Sequence, residues 1–104
     1  MGNTSWKQME RDVARLIGGT RYPANTGGPI DVESPQYIVQ AKERRSLSLE
    51  ALTQLVEEIE GIAKAKCKHG LLAVKVRRGK GKYSPILIIQ TAEQWDEHKK
   101  AQPV

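Results

Sequence analysis

Cysteine is almost missing from this chain of 104 residues, where Cys67 stands alone. A lone thiol closes no internal disulfide and builds no cysteine-rich metal site, so a reducing compartment, the cytoplasm, is expected. Long apolar runs are missing too. Nothing approaches the roughly 18 residues that a membrane span needs. Met1-Gly2-Asn3-Thr4-Ser5-Trp6 lacks a signal-peptide apolar stretch, and Trp6 stands where a myristoylation signal needs a hydroxyl residue. Membrane insertion, secretion and lipid anchoring are therefore not expected. Repeats, long linkers and low-complexity tracts are also absent, and the length suits one domain over residues 1–104 that buries roughly 65% of its unfolded surface. With 38% apolar and 28% charged residues, the chain has the means to build a core.

Acidic residues are scarce in one part of the chain only. Residues 1–60 carry seven Lys/Arg against nine Asp/Glu, whereas residues 61–104 carry ten against three. Between Lys64 and Lys82 lie eight basic residues and no acid. Such an unbroken run fits a polyanion better than a merely solvated face. It forms no amphipathic basic helix with aromatic anchors, which argues against a membrane surface.

The spacing of Trp6, Met9, Val13, Leu16 and Ile17 predicts a helix over about 5–18, opened by the capping pattern Ser5-x-x-Gln8 and stopped by Gly18-Gly19. Glu10 falls at the border of its apolar arc. Residues 19–29 are dense in turn formers, with at most a short strand at 20–22. Ile30–Glu33 and Tyr37–Lys42 read as strands joined by the turn Ser34-Pro35-Gln36, with Gln40 and Lys42 on one face of the second. Ser48 caps a second helix that runs to about 66, with Leu47 and Leu52 as a hydrophobic staple, and His69-Gly70 is expected to end it. Leu71–Arg77 and Tyr83–Gln90 read as strands flanking a cationic loop, and Pro85 argues for a late start or an edge position in the second. A short helix over about 91–100 closes the order αβββαββα, whose first six elements form an αβββαβ core.

Glu10, Asp31, Gln40 and Lys42 are the polar residues that this pattern leaves to be explained together. Asp31, Glu10 and the Gln40 amide oxygen are donors of the kind that Mg²⁺ takes. A lysine two positions along the same strand face is placed to orient an attacking water and to offset charge on a phosphorane-like transition state. Gly28-Pro29-Ile30-Asp31 followed by Ile38-Val39-Gln40-Ala41-Lys42 resembles the PD-(D/E)XK nuclease core, with Glu10 as the extra acid of the first helix. The short chain, the helix soon after Gln40-x-Lys42 and the strand Leu71-Leu72-Ala73-Val74-Lys75 are similar to archaeal-type and phage Holliday junction resolvases.

The resemblance covers roughly residues 6–90. It implies an α/β, restriction-endonuclease-like fold with a mixed central sheet flanked by helices. It also implies Mg²⁺ or Mn²⁺ as cofactor, a homodimer, and hydrolysis of phosphodiester bonds in DNA, with branched four-way junctions as substrate. Asp31, Gln40 and Glu10 then hold the metal and Lys42 assists the water. Arg21, Arg44, Arg45, Lys75, Arg77, Arg78, Lys80 and Lys82 are the expected DNA contacts. Position 40 departs from the pattern, being Gln where Glu or Asp is usual, and the loop before Asp31 offers only Thr26 or Asn25 for the resolvase loop serine. Two other readings stay open, a nuclease for other DNA structures and a nucleic-acid-binding module without catalysis. Glu33 and Glu43 are the nearest alternative ligands. Gln54 reads as helix surface, His69 as a helix-end or surface histidine, Cys67 as a small structural residue and Trp6 as core. Trp95 reads as core or a dimer contact.

Overall fold

Ile38 and Val39 are neighbours in sequence and both fully buried, which a strand permits only when each of its faces is covered. The computed structural model describes residues 5–22, 28–79 and 81–101. Its elements are α1 (Ser5–Ile17), β1 (Thr20–Arg21), β2 (Val32–Glu33), β3 (Tyr37–Arg44), α2 (Leu49–Ala65), β4 (His69–Val76), β5 (Ile86–Ile89) and α3 (Ala92–Ala101). The strands make one five-stranded sheet in the order β1-β2-β3-β4-β5. The central pair β3–β4 is parallel and the other pairs are antiparallel. The fold is thus mixed α/β. No helix among the described residues is long and apolar enough to cross a membrane.

Helix α1 covers one face, where Met9 and Val13 cluster with Val32, Val39, Leu71 and Ala73. Helix α2 covers the other, with Ile59 and Ala63 on Ile38, and Val56 on Leu72 and Val74. Ser48 caps α2 as its position suggests, its Oγ accepting the Ala51 N–H at 3.0 Å, a contact worth about 1 kcal/mol. Leu47 and Leu52 pack on the same cluster. Gly70 lets α2 lie directly against β4, since a Cβ there would meet the Ile59 carbonyl oxygen at 2.6 Å.

Several boundaries differ from the sequence expectation. Helix α2 stops at Ala65, and the reversal is made by Cys67, an exposed residue at φ 58°. His69 and Gly70 therefore open β4 and do not end the helix. Trp6 and Leu16 are 39% and 68% exposed, because α1 buries a stripe narrower than its apolar pattern, centred on Met9 and Val13. The strand predicted at Ile30 starts at Val32, and the one predicted at Tyr83 starts at Ile86, just after Pro85, which has no N–H to give a ladder. Gln54 is exposed and bonds Glu50 within α2.

Glu33 ties the amino-terminal end of β4 to the β2–β3 hairpin. Its carboxylate accepts from Tyr22 and Lys68, with Lys66 Nζ 3.3 Å away, while Lys68 also donates to the Ser34 carbonyl at 2.8 Å. Lys68 above all, then Tyr22, holds the Glu33 carboxyl down at about 2. A depressed carboxyl stabilises the fold above its unfolded value of 4.5 and loses that contribution as pH falls towards about 2. Glu33→Gln is expected to cost about 1 kcal/mol near neutrality, allowing for solvent around the pair, or roughly 4–8 °C in Tm. Thermal melts of both proteins from pH 7 downward check this: the gap should close on acidification, and a constant gap would refute it.

Candidate active site

Asp31 sits where the β2–β3 ladder opens, one residue before β2. Its N–H donates to the Val39 carbonyl at 2.9 Å, and its Oδ2 accepts the Ala41 N–H at 2.8 Å. The residue is thereby fastened on both sides of Gln40. Oδ1 takes no part in either contact. Glu10, on α1 and only 7% exposed, accepts both Nε and Nη2 of Arg21 on a single oxygen, Oε1, at 3.0 and 2.9 Å. The second oxygen, Oε2, is left outside this fork.

The Asp31 charge reaches Glu10. Burial pushes Glu10 up, Arg21 draws it down, and the Asp31 charge raises it again. Asp31 is likewise pushed up by burial, against the Ala41 N–H, Lys42 and Arg21, which lower it.

Gln40 is 6% exposed, and its Oε1 is buried with no hydrogen-bond partner. Along β3 it alternates with Val39, so it falls on the α2 side with Ile38 and Lys42. An orphaned carbonyl oxygen in a close-packed layer is rare and costs about 1–3 kcal/mol. Among the described residues no three His, Cys, Asp or Glu side chains form a metal-holding group. The candidate donors are two carboxylates and one amide oxygen, with Glu10 coming from α1 on one face of the sheet and Gln40 falling on the other, the α2 side. Asp31 Oδ1, Glu10 Oε2 and Gln40 Oε1 are all hard oxygen donors, so their chemistry fits Mg²⁺ or Mn²⁺.

The expected DNA contacts separate into groups. Because β3 and β4 run parallel and in register from Tyr37–His69 to Arg44–Val76, Arg44, Arg45, Arg77 and Arg78 gather at their shared carboxyl end, all exposed. The Arg77 N–H donates to the Arg44 carbonyl at 2.7 Å and holds this end together. Lys75 is half-buried on β4, Lys82 is exposed on the following loop, and Lys80 lies outside the described residues, as do Asn25 and Thr26. Arg21 is engaged by Glu10 and faces the acids. Lys66 and Lys68 stand at the opposite end of the sheet on Glu33. Nine residues at about 3.3 Å each put roughly 30 Å between Lys68 and Arg77. The basic run of the sequence is therefore two separate features.

Glu33, bound by Lys66, Lys68 and Tyr22, stands apart from Asp31 as a ligand. His69 joins Tyr37 and His98 in a ring cluster, with centroids 4.9 Å apart for the two histidines and 2.6 Å between Tyr37 Oη and His98 Nε2. Trp95, 55% exposed, lies beside them on an apolar groove of about 550 Å³ that also includes Leu16 and Leu71. Sequence spacing carried no sign of this cluster, whose members are 61 positions apart at Tyr37 and His98. The Arg21–Glu10 fork was equally hidden, because only the α1–β1 turn brings them together.

No protein-family model, no curated protein and no solved structure matches this chain. Its chemistry must be argued from its own residues.

Gln40→Met tests whether the orphaned oxygen serves the fold. Removing an unsatisfied amide at equal volume should leave Tm unchanged or raise it, within about 1 kcal/mol of the parent. Loss of more than that in urea or thermal unfolding would show that the amide is bonded inside the fold.

Proposed function

We propose that the protein is a divalent-metal-dependent endonuclease acting on DNA, with four-way junctions as the preferred substrate. The observation that carries this reading is the buried, partnerless Gln40 Oε1, flanked by the two backbone anchors of Asp31 and followed at two residues by Lys42. Asp31, Gln40 and Glu10 would hold Mg²⁺ or Mn²⁺, which when bound supplies Lewis acidity toward a phosphate oxygen and makes water a stronger acid. The Ala41 N–H keeps the Asp31 carboxylate aimed. Lys42, on the same strand face as Gln40, orients the water and offsets the charge that gathers on the phosphorus centre in the transition state. Arg44, Arg45, Arg77 and Arg78 at the adjoining sheet end bind backbone phosphates without reading bases.

Two symmetric nicks in a junction call for two such sites, and a chain this small has room for one. A homodimer supplies the second. Leu87, Ile88 and Trp95, which are 48%, 40% and 55% exposed, support an interface along the β5 edge. Gln40 also favours a second reading, a DNA-binding module without catalysis, since its neutral amide holds a cation less firmly than a carboxylate.

A cleavage assay on four-way junction, flap, duplex and single-stranded DNA with Mg²⁺, Mn²⁺, Ca²⁺ or EDTA decides between them. Cleavage with Mg²⁺ or Mn²⁺ and none in EDTA is expected, with paired nicks in junctions. Asp31→Asn should lower the rate at least a hundredfold and leave DNA affinity within about threefold, because phosphate binding resides in the arginines. Gln40→Glu should lower the Mg²⁺ concentration needed for half-maximal rate. Tight DNA binding with no cleavage of any substrate would establish the module instead.

A further inference from the structure

Residues 81–84, ahead of β5, border an open cavity of about 550 Å³ that the candidate active site does not use. Lys75 of β4, Ile86 of β5, Asp12 of α1 and the loop residues Lys82, Tyr83 and Ser84 line it. Ser84 is 6% exposed, and its hydroxyl has no hydrogen-bond partner. A buried donor without an acceptor is unfavourable in any fold. Ser84 is one of the residues that line the same cavity as Lys75 and Lys82. The acid nearby is already spoken for, since Asp12 Oδ1 accepts from Arg15 and from Gln8, each at 2.9 Å. Glu43 stands level with Lys75 on β3. With both acids counted against Lys75, Lys82 and Arg15, the rim remains positive.

The loop geometry is held from within. Gly79 and Gly81 take φ values of 103° and 77°, which only glycine adopts at low cost. Arg78 Nη1 donates to the Tyr83 carbonyl at 3.3 Å. Tyr83 is left 80% exposed beside the cavity, an expensive position for a large ring unless something covers it.

We propose that this cavity holds a phosphodiester of an unpaired nucleic-acid strand. The Ser84 hydroxyl donates to a non-bridging oxygen, Lys75 and Lys82 offset the charge, and Tyr83 stacks on the adjoining base. A diester phosphate accepts hydrogen bonds and donates none, which matches the two ammonium groups and the hydroxyl of this wall, while the one carboxylate on it, Asp12, is turned to Arg15 and Gln8 through Oδ1. Stacking on an aromatic face is open to every base, so the subsite tracks a strand without reading its sequence. The choice of a nucleic acid as ligand rests on the nuclease reading. The subsite itself makes no use of the metal residues.

Fluorescence anisotropy of a labelled oligothymidylate with the full chain in EDTA tests this apart from cleavage. A protein that fails to cut DNA would still bind the oligonucleotide here, and a protein that cuts without using this cavity would not respond to the variants below. Ser84→Ala should weaken binding about tenfold, the loss of one charge-assisted hydrogen bond, while its Tm stays level or rises. Lys75→Gln with Lys82→Gln should flatten the salt slope by about 1.4, two single-strand contacts at roughly 0.7 each. Tyr83→Ala should weaken binding severalfold. Unchanged affinity in Ser84→Ala and in the double lysine variant would overturn the proposal. So would a lower Tm for Ser84→Ala, which would mean that the hydroxyl is bonded within the fold. Competition by inorganic phosphate as effective as by the oligonucleotide, at equal phosphate concentration, would overturn the strand in favour of a free anion.

Discussion

Eight consecutive residue pairs join β3 to β4 in parallel, from Tyr37 with His69 to Arg44 with Val76, and a parallel pair cannot be closed by a tight turn. The chain must leave β3 at one end and return at the other. Helix α2 makes that crossing and covers one face as it does so. The other face is left for α1, and the strands become apolar on both sides at Ile38, Val39, Leu72 and Ala73. Burial of Gln40 follows from this double cover, since any residue in the middle of β3 lies under one helix layer or the other. The gathering of arginines follows as well, because parallel strands end at the same edge.

That arrangement makes polar residues in and beside the sheet costly, and the molecule meets the cost unequally. At one end of the sheet Glu33 is satisfied by Tyr22, Lys66 and Lys68, and its carboxyl is held down. At the β2–β3 opening the acids Glu10 and Asp31 are pushed up by burial, and Gln40 keeps an oxygen with nothing to accept from. The first grouping is what a structural ion network looks like. The second leaves its burial less fully compensated, and the proposed metal would supply the missing charge. Arg21 stands in part for that charge, since its guanidinium grips Glu10 from β1.

Much of the fold could be read from residue order. The alternation through Tyr37–Lys42, the Ser48 cap with its Leu47–Leu52 staple, and the long apolar stripe of α2 all report local geometry, and local geometry is what periodicity records. Asp31, Gln40 and Lys42 stood out for the same reason, as polar residues interrupting buried strands. Errors came where tertiary contact decides. Trp6 fits the apolar arc of α1, yet it stays exposed because the helix's contact with the sheet centres on Met9 and Val13. Cys67 reads as a small structural residue, with no sign that the chain makes a sharp reversal there to begin β4 at His69. Lys66 and Lys68 read as one run with Arg77 and Arg78, and only the length of β4 reveals that they belong to opposite ends. Ser84 gave no signal at all, because a serine before a proline in a loop is ordinary until its hydroxyl is seen to be enclosed.

The reversal at Cys67 has a practical meaning for experiments on this molecule. Its thiol is the sole one in the chain and is exposed, on the turn that precedes β4 and thus at the far end of the sheet from Arg77 and Arg78. A dye, spin label or surface tether coupled by maleimide chemistry would attach at a single defined point. The arginine-rich end would then face away from the tether, so immobilised protein would present one orientation to whatever flows past it.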